Sequence, residues 1–391
     1  MRYFLLAGEA SGDNLGAGLI TEIRRLDPGA ELAYWGGDHM RAAAGGLAPK
    51  QHLDALAFMG FVEVVANLRT LLGLLARAKR DVAAFAPDVL VCIDYPGFNL
   101  RLARWAKARG LRVDFYVSPQ IWAWRRGRVH GIAAATDRIL CILPFERDFY
   151  AGYGYAVDYV GHPLPKRVDD HARPERLRIV DPGGALAAEG PLLAVLPGSR
   201  RQEVRAMLAV MMAGVRGFAE RRRRRTPGSR PYRVVLAAAP VLSDAFLEEV
   251  CREHGVGYVR SAYDLLSAAE LACVTSGSAT LETALFGVPQ VVCYRGSALS
   301  VAIARRVVRV DYIALPNLIL GEAVVPELIQ GALTPEALAG ALAALSEGPA
   351  RERATRGYER LRAALAPYDA AAVAAGLVVE DARAAGAPAA N

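Results

Sequence analysis

The sequence has little of what marks several common function classes. Its five cysteines, Cys92, Cys141, Cys251, Cys273 and Cys293, stand singly and mostly inside apolar runs. With no C-x-x-C pair and no histidine cluster beside them, zinc-ribbon, dithiol and disulfide-framework readings fall away, and buried thiols in a reducing cytoplasm are expected. No group of Asp, Glu and His has the spacing of a metal site, so neither a metal nor a cofactor is expected. No apolar run reaches the roughly 18 residues of a membrane-spanning helix. The stretch from 53 to 80 comes nearest and is broken by Glu63, Asn67, Arg69 and Arg77. The start, "MRYFLLAGEASGD", has one basic residue and an apolar run that ends at Glu9, too short for the core of an export signal. G-x-G-x-x-G is missing from both halves and no Lys-Ser/Thr pair closes a P-loop, which disfavours dehydrogenase and Walker-type nucleotide sites.

What is present is a chain of 391 residues, 53% hydrophobic and 22% charged, with a net charge of +7. These values suit an α/β protein of about two domains with well-developed cores. The basic balance implies anionic partners, whether phosphorylated substrate, membrane surface or nucleic acid. The densest basic run, Arg221 to Arg225, has no interleaved aromatic to stack on bases, so nucleic acid is not expected. It reads as a solvated helix end, with an anionic membrane surface as the competing use.

From residue 1 to 165, apolar runs alternate with helical patterns: "YFLLA", "DVLVCID", "RVDFYVS", "RILCIL" and "VDYVG". Near-continuous apolar runs of this kind predict a parallel sheet covered on both faces. A polar, Pro/Gly-bearing stretch from 166 to 190 reads as a linker. A second series runs from 191 to 345, through "LLAVLPG", "RVVLAAA", "GYVR", "LACVTS" and "PQVVCYR". The prediction is α/β, with two doubly wound Rossmann-like domains facing a cleft, followed by an Ala-rich helical tail over 346–391 that frays at "AAGAPAAN".

Three turns carry the chemistry. In "LLAGEASGDNLGAGLI" a glycine-rich strand-to-helix turn holds Glu9 and Asp13. Those carboxylates repel a phosphate, so a hydroxyl-rich ligand suits the turn better, against the plainer reading that Ser11 or Asp13 caps a helix. "LPGSRRQEV" has the form of an anion site: Gly198 permits close approach, Ser199 donates, and Arg200 supplies a forked cation unless it pairs with Glu203. "TSGSATLETALFG" repeats the logic, with Ser276, Gly277 and Ser278 opening a helix that carries Thr280 and Glu282. Such a helix start accepts a diphosphate, and a carboxylate one turn in accepts ribose hydroxyls.

These turns, with "IDYPGFNLRLA", "YVSPQIWAWRRGRV", "LPFE", "GHPL" and "LPNLILG" in this order, resemble the lipid-A-disaccharide synthase family from about residue 4 to 345. The resemblance implies a GT-B glycosyltransferase that moves 2,3-diacylglucosamine from UDP to the 6-hydroxyl of 2,3-diacylglucosamine 1-phosphate with inversion. It places UDP-diacylglucosamine on the second half, at Gly198, Ser199, Arg200, Ser276, Gly277, Ser278, Thr280, Glu282 and Asn317. The diacylglucosamine 1-phosphate falls to the first half, at Glu9, Ser11, Asp13, Asn99, Ser118, Trp122, Trp124 and Arg125. The family's location, on the cytoplasmic face of an anionic inner membrane, comes with it, and a homodimer stays open.

Asp94 ends a strand and matches the acidic position of the family's ID-x-P-x-F-N motif, which makes it the candidate base; alone, it would read as a helix cap. Where many relatives carry a second acid, this chain has Gly97. Trp122 and Trp124, beside Arg125, Arg126, Arg128 and Arg138, suit a phosphorylated, acylated sugar or simply the core. His162 reads as structural. Leu68, Leu71, Leu72 and Leu75, flanked by basic residues, fit a core helix and a membrane-interface helix equally well. The rivals to this reading are another GT-B-like UDP-sugar enzyme, such as an epimerase, and a non-catalytic nucleotide-sugar or lipid binder that would not need Asp94.

Overall fold

A computed structural model describes residues 1–55, 68–124, 126–187, 189–296, 310–367 and 369–386. The chain divides into two compact units, Met1–Pro163 with Leu365–Asn391, and Leu164–Ala364. Both are parallel α/β sheets. In the first, seven strands, β1 (Arg2–Ala7), β2 (Glu31–Gly36), β3 (Gln51–His52), β4 (Val89–Ile93), β5 (Arg112–Tyr116), β6 (Arg138–Cys141) and β7 (Asp158–Tyr159), run in the order β3-β2-β1-β4-β5-β6-β7. In the second, β8 (Leu192–Leu196), β9 (Arg233–Ala237), β10 (Gly257–Val259), β11 (Ala269–Thr275), β12 (Gln290–Tyr294) and β13 (Glu327–Ile329) run β10-β9-β8-β11-β12-β13.

Each order reverses once, between β1 and β4 and between β8 and β11. At such a point the connections leave in opposite directions and open a crevice at the carboxyl ends of the strands. The turns after β1 and β4 therefore share one crevice edge, and those after β8 and β11 share the other unit's. These are the turns singled out by their chemistry in the sequence.

The strands bury both faces, as their apolar runs require: β4 is fully buried, and Phe4, Leu6, Leu90, Cys92 and Phe115 join one core while Tyr3, Leu5, Val89, Val91 and Tyr116 join the opposite one. All five cysteines are free and buried. Strands β2, β3 and β13 are additions to the sequence reading. "ELAYWG" was hidden by its Glu and Gly ends, β3 has only two residues, and β13 only three.

The last helices part company. The helix Pro349–Ala364 stays with the second unit, whereas Ala370–Gly386 returns to the first and buries Ala374, Ala375, Val378, Val379 and Ala382. Small side chains let it lie close to the sheet. Its one buried acid, Asp381, accepts from Arg112 Nη2 at 2.7 Å and from Arg138 Nε and Nη2 at 2.6 and 2.9 Å. The stretch read as a linker belongs to the second unit, where Val180 and Tyr258 exchange backbone hydrogen bonds of 2.9 and 2.8 Å. Of the segment expected to fray, residues 384–386 continue the helix Ala370–Gly386, and residues 387–391 lie outside the described ones.

Candidate functional site

In the first unit the crevice edge is built from Gly8–Glu9 and Asp94–Tyr95. Asp94 and Tyr95 adopt left-handed φ values of 47° and 50°, and Val117, after the neighbouring β5, has 69°. Each costs a non-glycine residue about 1–2 kcal/mol, and for a β-branched valine the conformation is a marked outlier. Strain of this kind persists where surrounding structure imposes it. Here the Asp94 amide donates to Tyr116 O at 2.8 Å and the Val117 amide to Leu140 O at 2.9 Å, so the sheet's own ladder holds the bends. A Cβ on Gly8 would collide with the Tyr95 ring, which therefore lies directly on the β1 turn.

The half-buried Asp94 does not cap the following helix: Tyr95 is the N-cap, Pro96 follows, and no side chain caps it. Burial raises the Asp94 pKa, and the Tyr95 amide offsets part of the rise. Burial, then the charge of Asp94, raises that of Glu9 as well. Two carboxylates from separate motifs thus share one edge, a pairing that spacing within either motif does not reveal.

Several other residues expected at the acceptor have their polar atoms engaged internally. Asp13 is buried and accepts from the amides of Gly37, His39 and Met40 at 2.6, 3.1 and 3.2 Å, so it caps the helix Asp38–Ala43. The Asn99 amide nitrogen donates to Asp94 O at 2.7 Å, Ile93 O at 3.2 Å and Leu6 O at 3.3 Å, tying the two strand ends together. Ser118 bonds the Tyr150 hydroxyl at 3.0 Å. Trp122 is buried edge-on to Phe145, and its Nε1 donates to Glu146 Oε1 at 3.2 Å. Ser11 and Trp124 remain exposed; Arg125 lies outside the described residues. Arg138 is committed to Asp381 and Asp158. His162 is buried, and burial pushes its pKa down to about 4, which keeps it neutral at physiological pH.

Of the leucine stripe, Leu71 and Leu75 are buried in the core with Trp35 and Leu90, whereas Leu72 is 55% exposed. This corrects the interfacial reading for Leu71 and Leu75. The side chain of Leu68, and residues 56–67, lie outside the described ones. Among the described residues no helix is long and apolar enough to cross a membrane. The arginine run closes the helix Arg201–Arg225 as an exposed end, where Arg224 pairs with Glu220 and Arg225 with Glu347.

The second unit holds a cavity of about 520 Å³, within the usual size of a small-molecule site. Gly198, Ser199, Ser276, Gly277, Ser278 and Glu282 line it, over a floor of small apolar residues from Leu196 to Ala237 and Ala262. Gly198 has φ 114°, and a Cβ there would strike Glu203, whose Oε2 accepts from the Ser199 amide at 3.1 Å. Glu203 thus pairs with the turn's backbone. Arg200, the exposed N-cap of the next helix, has no ion pair among the described residues and stands beside the cavity rather than in its lining.

Glu282 is half-buried one turn into the helix Ser278–Leu285, with its Oε1 accepting from the Tyr263 hydroxyl at 3.1 Å. Burial raises its pKa, against the lowering effects of that bond and of Arg167. Thr280 and Asn317 are buried supports. The Thr280 hydroxyl donates to Gly277 O at 2.7 Å, and Asn317 bonds Val324, Val325 and Glu327 at 2.8 to 2.9 Å. Arg260 and Tyr263 are new members of the site. Their signal was "GYVRSAYD", an arginine at a strand end followed by a serine N-cap, and the Ser261 hydroxyl accepts from the Asp264 amide at 3.1 Å.

A sequence profile described as lipid-A-disaccharide synthetase matches residues 3–371. A lipid-A-disaccharide synthase of Syntrophus aciditrophicus is 40% identical over 355 residues, covering 90% of this chain and 89% of that one. Another, of Alkalilimnicola ehrlichii, is 42% identical over 355 residues, covering 88% of each. Among solved structures, the glycotransferase of kitacinnamycin superposes with a TM-score of 0.64 at 16% identity, covering 97% of this chain and 98% of that chain. That likeness speaks to the two-sheet fold alone.

Proposed function

The chain belongs to the lipid-A-disaccharide synthetase family, and from that premise we propose that it transfers 2,3-diacylglucosamine from UDP to the 6-hydroxyl of 2,3-diacylglucosamine 1-phosphate. The products are the β-1,6-linked disaccharide 1-phosphate and UDP. The observation that carries the assignment to residues is that the strand-end turns at both topological switch points are the ones with reactive chemistry.

The donor's uridine diphosphate occupies the 520 Å³ cavity. The helix start at Gly277–Ser278, the Ser199 turn and Arg260 face its phosphates, and Glu282, oriented by Tyr263, accepts from ribose hydroxyls. Arg200 stands at the cavity's mouth, where a forked cation meets the diphosphate as it takes on charge. On the acceptor side Asp94 takes the proton of the 6-hydroxyl while that oxygen bonds to the anomeric carbon and UDP leaves from the opposite face. A raised pKa makes a carboxylate a stronger base once it is ionised, which suits Asp94 to the task. Glu9 orients a neighbouring hydroxyl.

An anionic inner-membrane surface on the cytoplasmic side completes the proposal. It rests on the net charge of +7 and on Leu72 exposed between Arg69 and Arg80. Incubating the protein with UDP-diacylglucosamine and diacylglucosamine 1-phosphate tests the reading. Disaccharide 1-phosphate and UDP in equal amounts support it. Donor that is only hydrolysed or epimerised refutes it.

A further inference from the structure

We propose that a second, smaller cavity in the first unit binds the phosphomonoester of the acceptor sugar through Arg101 and Arg104. The inference rests on the acceptor reading above and names the group that fixes the acceptor's far end. The cavity measures about 130 Å³ and is lined by Pro96, Gly97, Arg101, Arg104 and Arg128, with no carboxylate in its wall. At about 30 Å³ per water it has room for about four waters, enough for one phosphate group.

Its placement is set by the strained turn. Gly97 follows Asp94 by three residues, so their Cα atoms are no more than about 11 Å apart. A hexosamine whose 6-hydroxyl meets Asp94 therefore carries its 1-phosphate within reach of this cavity, across a single sugar ring. A Cβ at Gly97 would meet nothing within 4 Å, so the entrance is open. Arg101 and Arg104 lie one and two turns along the helix Pro96–Lys107, on the same face at i and i+3. Arg101 donates one N–H to Gly97 O, which holds its guanidinium over the first helical turn. Of the arginines that the sequence placed beside Trp122 and Trp124, Arg128 lines this cavity, whereas Arg138 is neutralised by Asp381 and Asp158. Clustered forked cations around a phosphate-sized hollow suit bidentate recognition of a phosphomonoester.

The test uses the full chain with a soluble dihexanoyl-glucosamine 1-phosphate and the same sugar without phosphate. Titration calorimetry without donor, and steady-state KM with donor, are compared for wild type, R101Q/R104Q, R101K/R104K and a charge control, R221Q/R223Q. Exposed helix positions tolerate these changes, and thermal melts identify the folded variants. The expected result is a 10- to 100-fold weaker affinity, roughly, for the phosphorylated probe in R101Q/R104Q, with a smaller loss in the lysine pair. The probe lacking phosphate, the KM for donor and the charge control should not change. Equal losses for both probes, or no loss, overturn the site.

Vesicles of phosphatidylglycerol distinguish the two sources of a phosphate. If R101Q/R104Q loses vesicle binding while its probe affinity is unchanged, the cavity serves a phospholipid headgroup and the assignment is wrong. The two readings also separate. Phosphate-dependent binding without disaccharide formation sinks the proposed reaction and keeps the site, whereas disaccharide formation with an indifferent R101Q/R104Q does the reverse.

Discussion

The Tyr263 hydroxyl donates to Glu282 Oε1 at 3.1 Å, joining the segment after β10 to the helix after β11 across the larger cavity. Neither residue's motif announces the other. Removing the hydroxyl in Tyr263→Phe leaves a half-buried carboxylate with one fewer donor, so its pKa climbs further and its hold on ribose hydroxyls weakens. The expected outcome is about a 10-fold rise in the Kd for UDP, read by calorimetry, with acceptor KM unchanged.

In the proposed donor site Arg260 and Arg200 meet the same ligand from different places. Arg260 lines the cavity, donates to Leu242 O at 2.7 Å and pairs with Asp244, whereas Arg200 stands at the helix N-cap. Arg200→Ala and Arg260→Gln should each weaken UDP binding, while acceptor binding stays at the wild-type level. Equal loss for donor and acceptor in either variant would contradict the assignment of the donor to the second unit.

The leucine stripe divides by burial. Leu71→Ser with Leu75→Ser removes two core side chains and should cost several kcal/mol, enough to unfold the first unit in a thermal melt. Leu72→Ser changes an exposed residue, so the protein should fold normally and bind anionic vesicles less well. A folded Leu72→Ser protein with unaltered vesicle binding would remove Leu72 from the membrane account.

Glu146 gives the stability a pH dependence of its own. Burial pushes its pKa up to about 7, and the Leu143 amide and Trp122 Nε1 only partly compensate. The folded state therefore binds a proton that the unfolded chain releases at ordinary carboxylate pH. Stability falls as pH rises from about 4.5 to about 7, by up to about 3 kcal/mol. Glu146→Gln, which carries no titrating proton, should flatten this slope between pH 5 and 8 in denaturant titrations. An unchanged slope would show that other groups carry it.

Much of the architecture was legible because parallel strands buried on both faces have no choice but to be apolar throughout, and "DVLVCID" or "LLAVLPG" declare themselves in that way. The turns were legible for a related reason: glycine beside serine or an acid at a strand end is hard to explain by packing. What stayed hidden depends on contacts between distant segments. Asp13 caps a helix that begins 25 positions later, and Asn99 ties two strand ends whose adjacency only the sheet order supplies. Both look like ligand groups until their partners are known. The return of Ala370–Gly386 to the first sheet was equally invisible, since an Ala-rich helix packs on many surfaces and its polar contacts, Asp381 with Arg112 and Arg138 and Arg383 with Leu26 O, show only in the fold.

Asp94 carries the central claim. Asp94→Asn keeps the side chain's size and loses the base, and the strained turn is held by backbone bonds that the substitution does not touch. Measured on this variant, kcat for disaccharide formation should fall by about 10²–10⁴-fold, with melting temperature and UDP affinity near wild type. In the wild type the acidic limb of the rate profile should lie above the usual carboxylate range, with activity gained as pH rises and the burial-raised Asp94 ionises. A near-normal kcat in Asp94→Asn, or a lowered melting temperature with turnover per folded molecule preserved, would contradict the account.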